Sequence, residues 1–316
     1  MPVHIAAAQP TAPWRWRVRP GLRRGAALAL LALLAGCQTT GREAPAPPRV
    51  ALVIGNAAYE NARPLNNPVN DAQDMCAALR RLGFQTTCRT NVRSRAEFSA
   101  LLDEHANRLG PASVGVVYYA GHGVQVGGAN FLVPTQDAPG SQTRNPLTAL
   151  YGIDDLFDLL RSRPARLNVL MLDACRTELF GDPVLAAGGR GKVATPAAAA
   201  PTRLMRDLQA LPRSGSGLAT IRDAPPRTMV FYATAAKAAA FDGEGRNGPL
   251  TKHILRHIGT RGQTLEDFFK RVTEGVESET ERELAKRQSP FTYGSFTGRF
   301  CFAGCPGEGG EMPPIN

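Results

Sequence analysis

The sequence predicts an α/β fold built on a mostly parallel sheet. Three observations carry that expectation. Short apolar runs of strand type, among them Val50 to Ile54, Val114 to Tyr119 and Leu167 to Leu172, alternate along the chain with segments of helical spacing. Glycines and small polar residues mark the changes from one period to the other. A chain of 316 residues can hold one large domain of this class with extras, or two small ones, and either buries an ample core.

Residues 1–36 carry five arginines, Arg15, Arg17, Arg19, Arg23 and Arg24, and no acidic residue. The apolar stretch Gly25 to Gly36 is shorter than the roughly 20 apolar residues a spanning helix needs, and its basic flank fits a secretory signal. It ends in Leu34-Ala35-Gly36-Cys37, which resembles a bacterial lipobox, whose cysteine is lipidated and becomes the mature N-terminus. An ordinary signal peptide with an incidental cysteine is the alternative. Gln38, where an aspartate would retain the anchor elsewhere, points by family analogy to the outer membrane. The expected location is therefore the cell envelope, as a periplasm-facing lipoprotein. Residues 37–48 are small, polar and proline-rich, and read as a flexible tether. The five leader arginines account for half of the net charge of +10. What remains is ordinary for a soluble domain, and the case for a nucleic-acid partner loses its support.

Arg49 to Ile54 reads as a buried strand ended by Gly55-Asn56. Asp71 precedes a helix from Ala72 to Leu82, with Met75, Ala78, Leu79 and Leu82 at helical spacing and Gly83 as its stop. Phe84 to Arg89 is a second strand. Arg95 to Leu109 is a helix with Phe98, Leu101, Leu102 and Leu109 on its apolar side. Strand Val114 to Tyr119 follows, then a hairpin of Val124 to Val126 with Asn130 to Val133 across Gly127-Gly128. Ile153 to Leu160 is a short helix, and Leu167 to Leu172 is a strand. Gly181 to Arg227, rich in Ala, Gly, Pro and Arg, is expected to be a long loop. Thr228 to Thr234 is a strand, Pro249 to Ile258 and Thr264 to Leu284 are helices, and 301–316 is a disordered tail.

Two motifs stand where strands are expected to end: Tyr118-Tyr119-Ala120-Gly121-His122-Gly123 and Leu172-Asp173-Ala174-Cys175-Arg176. The carboxyl ends of parallel strands share one rim, so His122 and Cys175 can meet there as a dyad. A thiol, with an ordinary pKa of about 8.5, becomes a nucleophile when an imidazole takes its proton or stabilises its anion. The glycines flanking His122 permit close approach, and the amides of Gly123 and Cys175 are candidate oxyanion donors. The implied reaction is acyl transfer to the cysteine followed by hydrolysis. Taken singly, a histidine between glycines is ordinarily a turn residue and a cysteine after a strand an inert core thiol; the pairing gives both their weight.

The remaining histidines have weaker credentials. His4 is in the leader, His105 falls in a polar helical stretch, and His253 and His257, spaced i,i+4, lack a third ligand and read as surface helix positions. Gly55-Asn56-Ala57-Ala58-Tyr59 lacks the glycine fingerprint of a phosphate loop, which removes a nucleotide-binding alternative. Cys76, Cys88, Cys301 and Cys305 are an even number in an expected oxidising compartment, with no histidine at zinc-ligand spacing. A helix-to-strand bridge between Cys76 and Cys88 and a small terminal loop closed by Cys301 and Cys305 are open to them, as are buried thiols. Spacing alone does not decide the connectivity.

At these residues the chain resembles the caspase-like cysteine peptidases, specifically the bacterial metacaspase-like group. The resemblance runs from Arg49 to about Arg299. It rests on Val50-Ala51-Leu52-Val53-Ile54-Gly55-Asn56, Pro64-Leu65-Asn66-Asn67-Pro68-Val69-Asn70-Asp71-Ala72 and Leu82-Gly83-Phe84, on both motifs above, and on Tyr232-Ala233-Thr234 and Asp242-Gly243 through Arg246-Asn247. It implies a three-layer caspase-like (caspase-hemoglobinase) α/β fold, a mostly parallel central sheet with helices on both faces. The domain would span 49–300, divided into a large-subunit-like part 49–180, a loop linker 181–227 and a small-subunit-like part 228–300.

The resemblance further implies His122 as general base or acid, Cys175 as nucleophile, and the amides of Gly123 and Cys175 as the oxyanion hole. It implies cleavage after Arg or Lys, with Asp71 and Asp173 as the acids of the specificity pocket, because a cationic side chain pairs with carboxylates. Taken by themselves, Asp71 also suits a helix N-cap with Asp74 near the first turn, and Asp173 also suits a loop-orienting role. Thr177-Glu178-Leu179 and Ala120 depart from the family pattern, which affects pocket shape and no catalytic atom. No organic cofactor is implied. Some metacaspases need calcium, and Asp137, Asp154 and Asp182 lie in expected loops where such a site could form, but loop acids are usually solvated and no metal is assigned. Arg190, Lys192, Arg203, Arg206 and Arg213 in the linker are candidate self-cleavage points; a basic loop that is never cut is the alternative. The expected partners are protein or peptide substrates with basic cleavage residues and, through the lipid anchor, the membrane. The competing function is a catalytically silent caspase-like scaffold or binding module at the envelope.

Overall fold

The computed structural model describes residues 47–60, 62, 64–126, 128–136, 146–175, 223–234, 241, 243 and 245–306, with Pro146 and Cys175 described by their backbone alone. Cys37 and the signal, the tether up to position 46, Asp137, Asp182, Thr177-Glu178-Leu179 and the five basic linker residues lie outside the described residues.

The elements follow one another as β1 (Arg49–Gly55), α1 (Pro68–Arg81), β2 (Gln85–Thr90), α2 (Arg95–Asn107), β3 (Val114–Val126), β4 (Ala129–Leu132), β5 (Tyr151–Gly152), α3 (Ile153–Ser162), β6 (Leu167–Cys175), β7 (Thr228–Tyr232), α4 (Pro249–His257), α5 (Leu265–Leu284) and β8 (Phe291–Ser295). The main sheet is ordered β2-β1-β3-β6-β7-β8. Its neighbours are parallel except β8, which closes one edge antiparallel to β7. β4 pairs antiparallel with the far end of β3, and β5 with β4.

Strand periodicity sorts the core into two layers. Ala51 and Val53 of β1, with Val169 and Met171 of β6, pack against α1, α4 and α5. Leu52 and Ile54, with Leu170 and Leu172, pack against α2 and α3. A strand covered on both faces reads as a continuous apolar run, which is why these strands were visible in the sequence. The three-layer α/β architecture with a mostly parallel sheet is the one expected.

Several boundaries differ from expectation for identifiable reasons. α1 starts at Pro68 rather than Ala72, with Asn67 as the N-cap residue. Proline suits the first helical position because the amide it lacks would have no intrahelical partner there. Asp71 is therefore a residue of the first turn and not the N-cap. The start of α1 is pressed onto the end of β1: a Cβ at Gly55 would overlap the Pro68 carbonyl oxygen and lie 2.6 Å from the Ala72 Cβ. β8, Phe-Thr-Tyr-Gly-Ser, was not anticipated, because an exposed edge strand carries no apolar run.

The tail expected from position 301 is corrected for residues 301–306. Cys301, Phe302, Ala303 and Cys305 are buried, and Cys301 and Cys305 form a disulfide. Arg49 binds this segment to β1: its guanidinium lies 5.5 Å from the Phe84 ring centre and 5.6 Å from that of Phe300, and donates to the carbonyls of Phe302 at 2.6 Å and Leu82 at 3.2 Å. Gly262 N donates to Gly304 O at 2.9 Å. The second disulfide, Cys76–Cys88, ties α1 to β2.

His105, in α2 as expected, is buried against the sheet beside Gly115 of β3 despite the polar stretch around it. Neither of its ring nitrogens has a hydrogen-bond partner among the described residues. Burial, with the Arg108 charge adding to it, holds the imidazole down to about 4. Between about 6.5 and about 4 the unfolded chain therefore takes up a proton that the fold refuses. The stability associated with neutral His105 is complete above that window and is lost as pH falls through it. We predict that His105→Leu flattens the fall in unfolding free energy across the window by up to about 3 kcal/mol, measured by urea unfolding. A variant with the wild-type pH slope would remove His105 as the cause.

Candidate active site

β3 changes partners at His122. From Val114 to His122 it pairs in parallel with β6, ending with His122 opposite Cys175. From Gly123 onward it pairs antiparallel with β4, starting with Gly123 opposite Leu132. Both strands thus run through the motifs that were expected to follow them, since backbone pairing outlasts the apolar run. Adjacent strands lie about 4.8 Å apart, so the backbones of His122 and Cys175 stand side by side. The structure brings these two sequence-predicted residues together at the rim of the sheet.

The switch is held by two phenols. Gly121 has φ +154°, and a Cβ on it would lie 2.6 Å from the hydroxyls of both Tyr59 and Tyr119. His122 N donates to Tyr59 Oη at 2.8 Å, and Tyr119 Oη donates to His122 O at 2.7 Å. The two hydroxyls are 3.3 Å apart. The pair of hydroxyls thus links the amide and the carbonyl of His122 beside Gly121. The Tyr59 ring also stands against the buried His122 imidazole, with centroids 4.4 Å apart.

The loop after β1 delivers Tyr59. Asn56 is fully buried, accepting from Val92 N at 2.9 Å and donating to Val133 O at 3.1 Å. Asn91, at φ +56°, accepts from the amides of Ala57 and Ala58. Val133 N donates to His122 O at 3.1 Å, which makes Gly123 and Leu132 a non-hydrogen-bonded pair of the antiparallel ladder. The Gly123 N–H is accordingly directed away from β4.

The acids gather on the other side of β3, around Tyr118. Asp71, 2% exposed, accepts from Asn247 Nδ2 at 3.0 Å and from Gly248 N at 3.1 Å. Asp173, half-buried, accepts from Thr251 Oγ1 at 2.7 Å. Arg246 grips both oxygens of Asp74 at 2.9 Å, and that hydrogen bonding holds the Asp74 carboxyl below the usual range. Burial first, then the charges of Asp71 and Asp173, push the Tyr118 phenol well up, so it stays protonated. Asp71 and Asp173 thus both bind the opening of α4, the first through Gly248 and the second through Thr251.

The caspase domain profile matches residues 48–301. The chain belongs to the caspase domain family, a family of cysteine peptidases. The human mucosa-associated lymphoid tissue lymphoma translocation protein 1 is 33% identical over 129 residues, 40% of this chain, and its Mus musculus homolog matches to the same extent. The match spans only 15% of the length of each of those relatives. Solved structures share the fold: a Geobacter sulfurreducens protein at TM-score 0.54 and 20% identity, covering 80% of this chain and 95% of that one. Caspase-1 from Spodoptera frugiperda superposes at TM-score 0.53 and 13% identity, covering 81% of this chain and 92% of its own.

Within this caspase domain, Tyr59 and Thr251 escape sequence reasoning, and Asn247 is legible only as part of a matching segment, without its contact to Asp71. Each lies far along the chain from the residue it binds. Sequence reasoning also misplaced His253. That residue is buried rather than on the surface, with Nε2 2.9 Å from Glu279 Oε2. Asp154 sits in the first turn of α3 rather than in a loop. Among the described residues no group of three or more His, Cys, Asp or Glu side chains is placed to hold a metal ion.

Removing the Tyr119 hydroxyl by Tyr119→Phe deprives the His122 carbonyl of its phenolic donor and is expected to cost about 1–3 kcal/mol. Gly121→Ala, which forces both phenols aside, is expected to cost more. Denaturant unfolding of both variants checks this; wild-type stability in each would show that the phenol pair does not hold the switch.

Proposed function

We propose that this caspase domain is a cysteine endopeptidase of the metacaspase-like group that cuts after Arg or Lys with a His122/Cys175 dyad. The observation that carries the reading is the in-register pairing of His122 with Cys175 on adjacent strands, with His122 at the partner switch of β3. In the proposed reaction His122 takes the Cys175 thiol proton, and the sulfur attacks the scissile carbonyl. The amides of Gly123 and Cys175 stabilise the oxyanion, which the direction of the Gly123 N–H supports. Collapse expels the amine, which leaves with the proton from His122 and a thioester on Cys175. A water, deprotonated by His122, then hydrolyses the thioester and frees the acid and the thiol.

Asp71 and Asp173, gathered around Tyr118, support recognition of a cationic side chain. The chemistry calls for no organic cofactor. The lipobox-like Cys37 supports a lipid anchor and a place in the cell envelope facing the periplasm, with proteins or peptides bearing basic residues as substrates.

The test is the full chain, expressed with its leader, on reporter peptides ending in Arg, Lys or Asp, with and without calcium. Cleavage after Arg and Lys is expected, falling to background in Cys175→Ala. Activity that survives the substitution would refute the nucleophile, and cleavage after Asp alone would refute the acidic pocket. Intact mass spectrometry of the same pair tests self-processing. Fragments ending at a basic residue of the 181–227 linker are expected from the wild type only; identical masses would show that the linker is not a substrate.

A further inference from the structure

Tyr118 and Thr251 have no part in the acyl-transfer chemistry above, yet they occupy the centre of the acid cluster. Tyr118 is fully buried on β3, next in sequence to the phenol that clamps His122 but on the opposite face of the sheet. Thr251, also fully buried, is the third residue of α4. The Tyr118 and Thr251 hydroxyl oxygens are 2.5 Å apart, and Thr251 Oγ1 donates to Asp173 Oδ2 at 2.7 Å.

The direction of this chain follows from its acceptor end. An ionised carboxylate has no proton to give, so the single Thr251 hydroxyl proton goes to Asp173. The Thr251 oxygen then accepts, and Tyr118 is the donor. The relay therefore runs from Tyr118 through Thr251 to Asp173, joining β3, α4 and β6. It needs a protonated phenol, which the buried, acid-flanked position of Tyr118 ensures.

We propose that Tyr118 and Thr251 are positioning residues for basic specificity: their relay sets the orientation of the Asp173 carboxylate toward the cationic side chain of the substrate. This rests on the Arg/Lys reading above. Hydrogen bonds from fully buried donors to a charged acceptor are strong and directional, so they hold a carboxylate plane in one orientation. A fixed plane favours the paired bonds a guanidinium makes. The arrangement also divides labour between the two acids. Asp71, through Asn247 and Gly248, pins the entry to α4, and α4 in turn carries Thr251 to Asp173. Asp71 thus adds a hold on the backbone of the small-subunit-like part to its place in the pocket, and Asp173 is the acid that the relay orients.

Four variants of the full chain test the relay: Thr251→Val, which keeps the shape and removes the donor, Thr251→Ser, which restores it, Tyr118→Phe, and Asp173→Asn. With Arg and Lys reporters, Thr251→Val is expected to raise KM about tenfold with kcat within about twofold of wild type. Thr251→Ser should return KM to within about threefold, and Tyr118→Phe should fall between. Asp173→Asn should raise KM at least as much as Thr251→Val. If Asp173→Asn leaves KM for basic reporters unchanged, the specificity reading itself fails. A rise in Asp173→Asn without one in Thr251→Val overturns the relay alone. A loss of kcat in Thr251→Val that Thr251→Ser does not rescue also overturns it, because that pattern marks damaged packing rather than a misdirected carboxylate.

Discussion

One strand serving two ladders is the constraint on which the site depends. Up to His122, β3 is a central parallel strand, and beyond it the same strand is half of a hairpin. A continuous strand can turn between two partners only if the backbone at the turn is free to leave ordinary strand geometry and its polar groups are satisfied there. Gly121 supplies the first condition by lacking a Cβ where two phenols converge, and Tyr59 and Tyr119 supply the second by holding the His122 amide and carbonyl. His122 is thus located by its backbone, at the position opposite Cys175.

The acid side of β3 follows a different logic. Carboxylates are costly to bury unless hydrogen-bonded, and here each receives donors from the segment that opens α4 or from α4 itself. Asp71 binds Asn247 and Gly248, Asp74 binds Arg246 and Asn247, and Asp173 binds Thr251. The acids therefore join the half of the domain before the linker to the half after it. The two adjacent tyrosines of the histidine motif divide between the faces of the sheet, Tyr119 serving the histidine and Tyr118 the acids.

Much of this was legible in the chain. Strands buried on both faces and helices with one apolar side declare themselves by period, and the histidine and cysteine motifs reach one rim of the sheet, although the strands run on through them rather than ending before them. The features that escaped share a cause. The start of α1 lies four residues before the expected one because Asp71, a good N-cap by residue type, is a first-turn residue behind Pro68. β8 escaped because an exposed edge has no apolar signature, and the ordering of 301–306 because it depends on Arg49 lying between two distant rings. Tyr59 and Thr251 carry no local mark at all, since a hydroxyl acquires its role only from the partner that folding places against it.

The sequence by itself determined the mostly parallel α/β sheet, the four cysteines open to pairing, and the two motifs that carry the family resemblance, because periodicity and residue type are local properties. Only the tertiary structure decided that His122 faces Cys175 across one register, that two phenols hold the strand switch, and that a tyrosine and a threonine from opposite halves converge on Asp173. Those facts are distances between atoms far apart along the chain. Such distances arise from the packing of the whole domain.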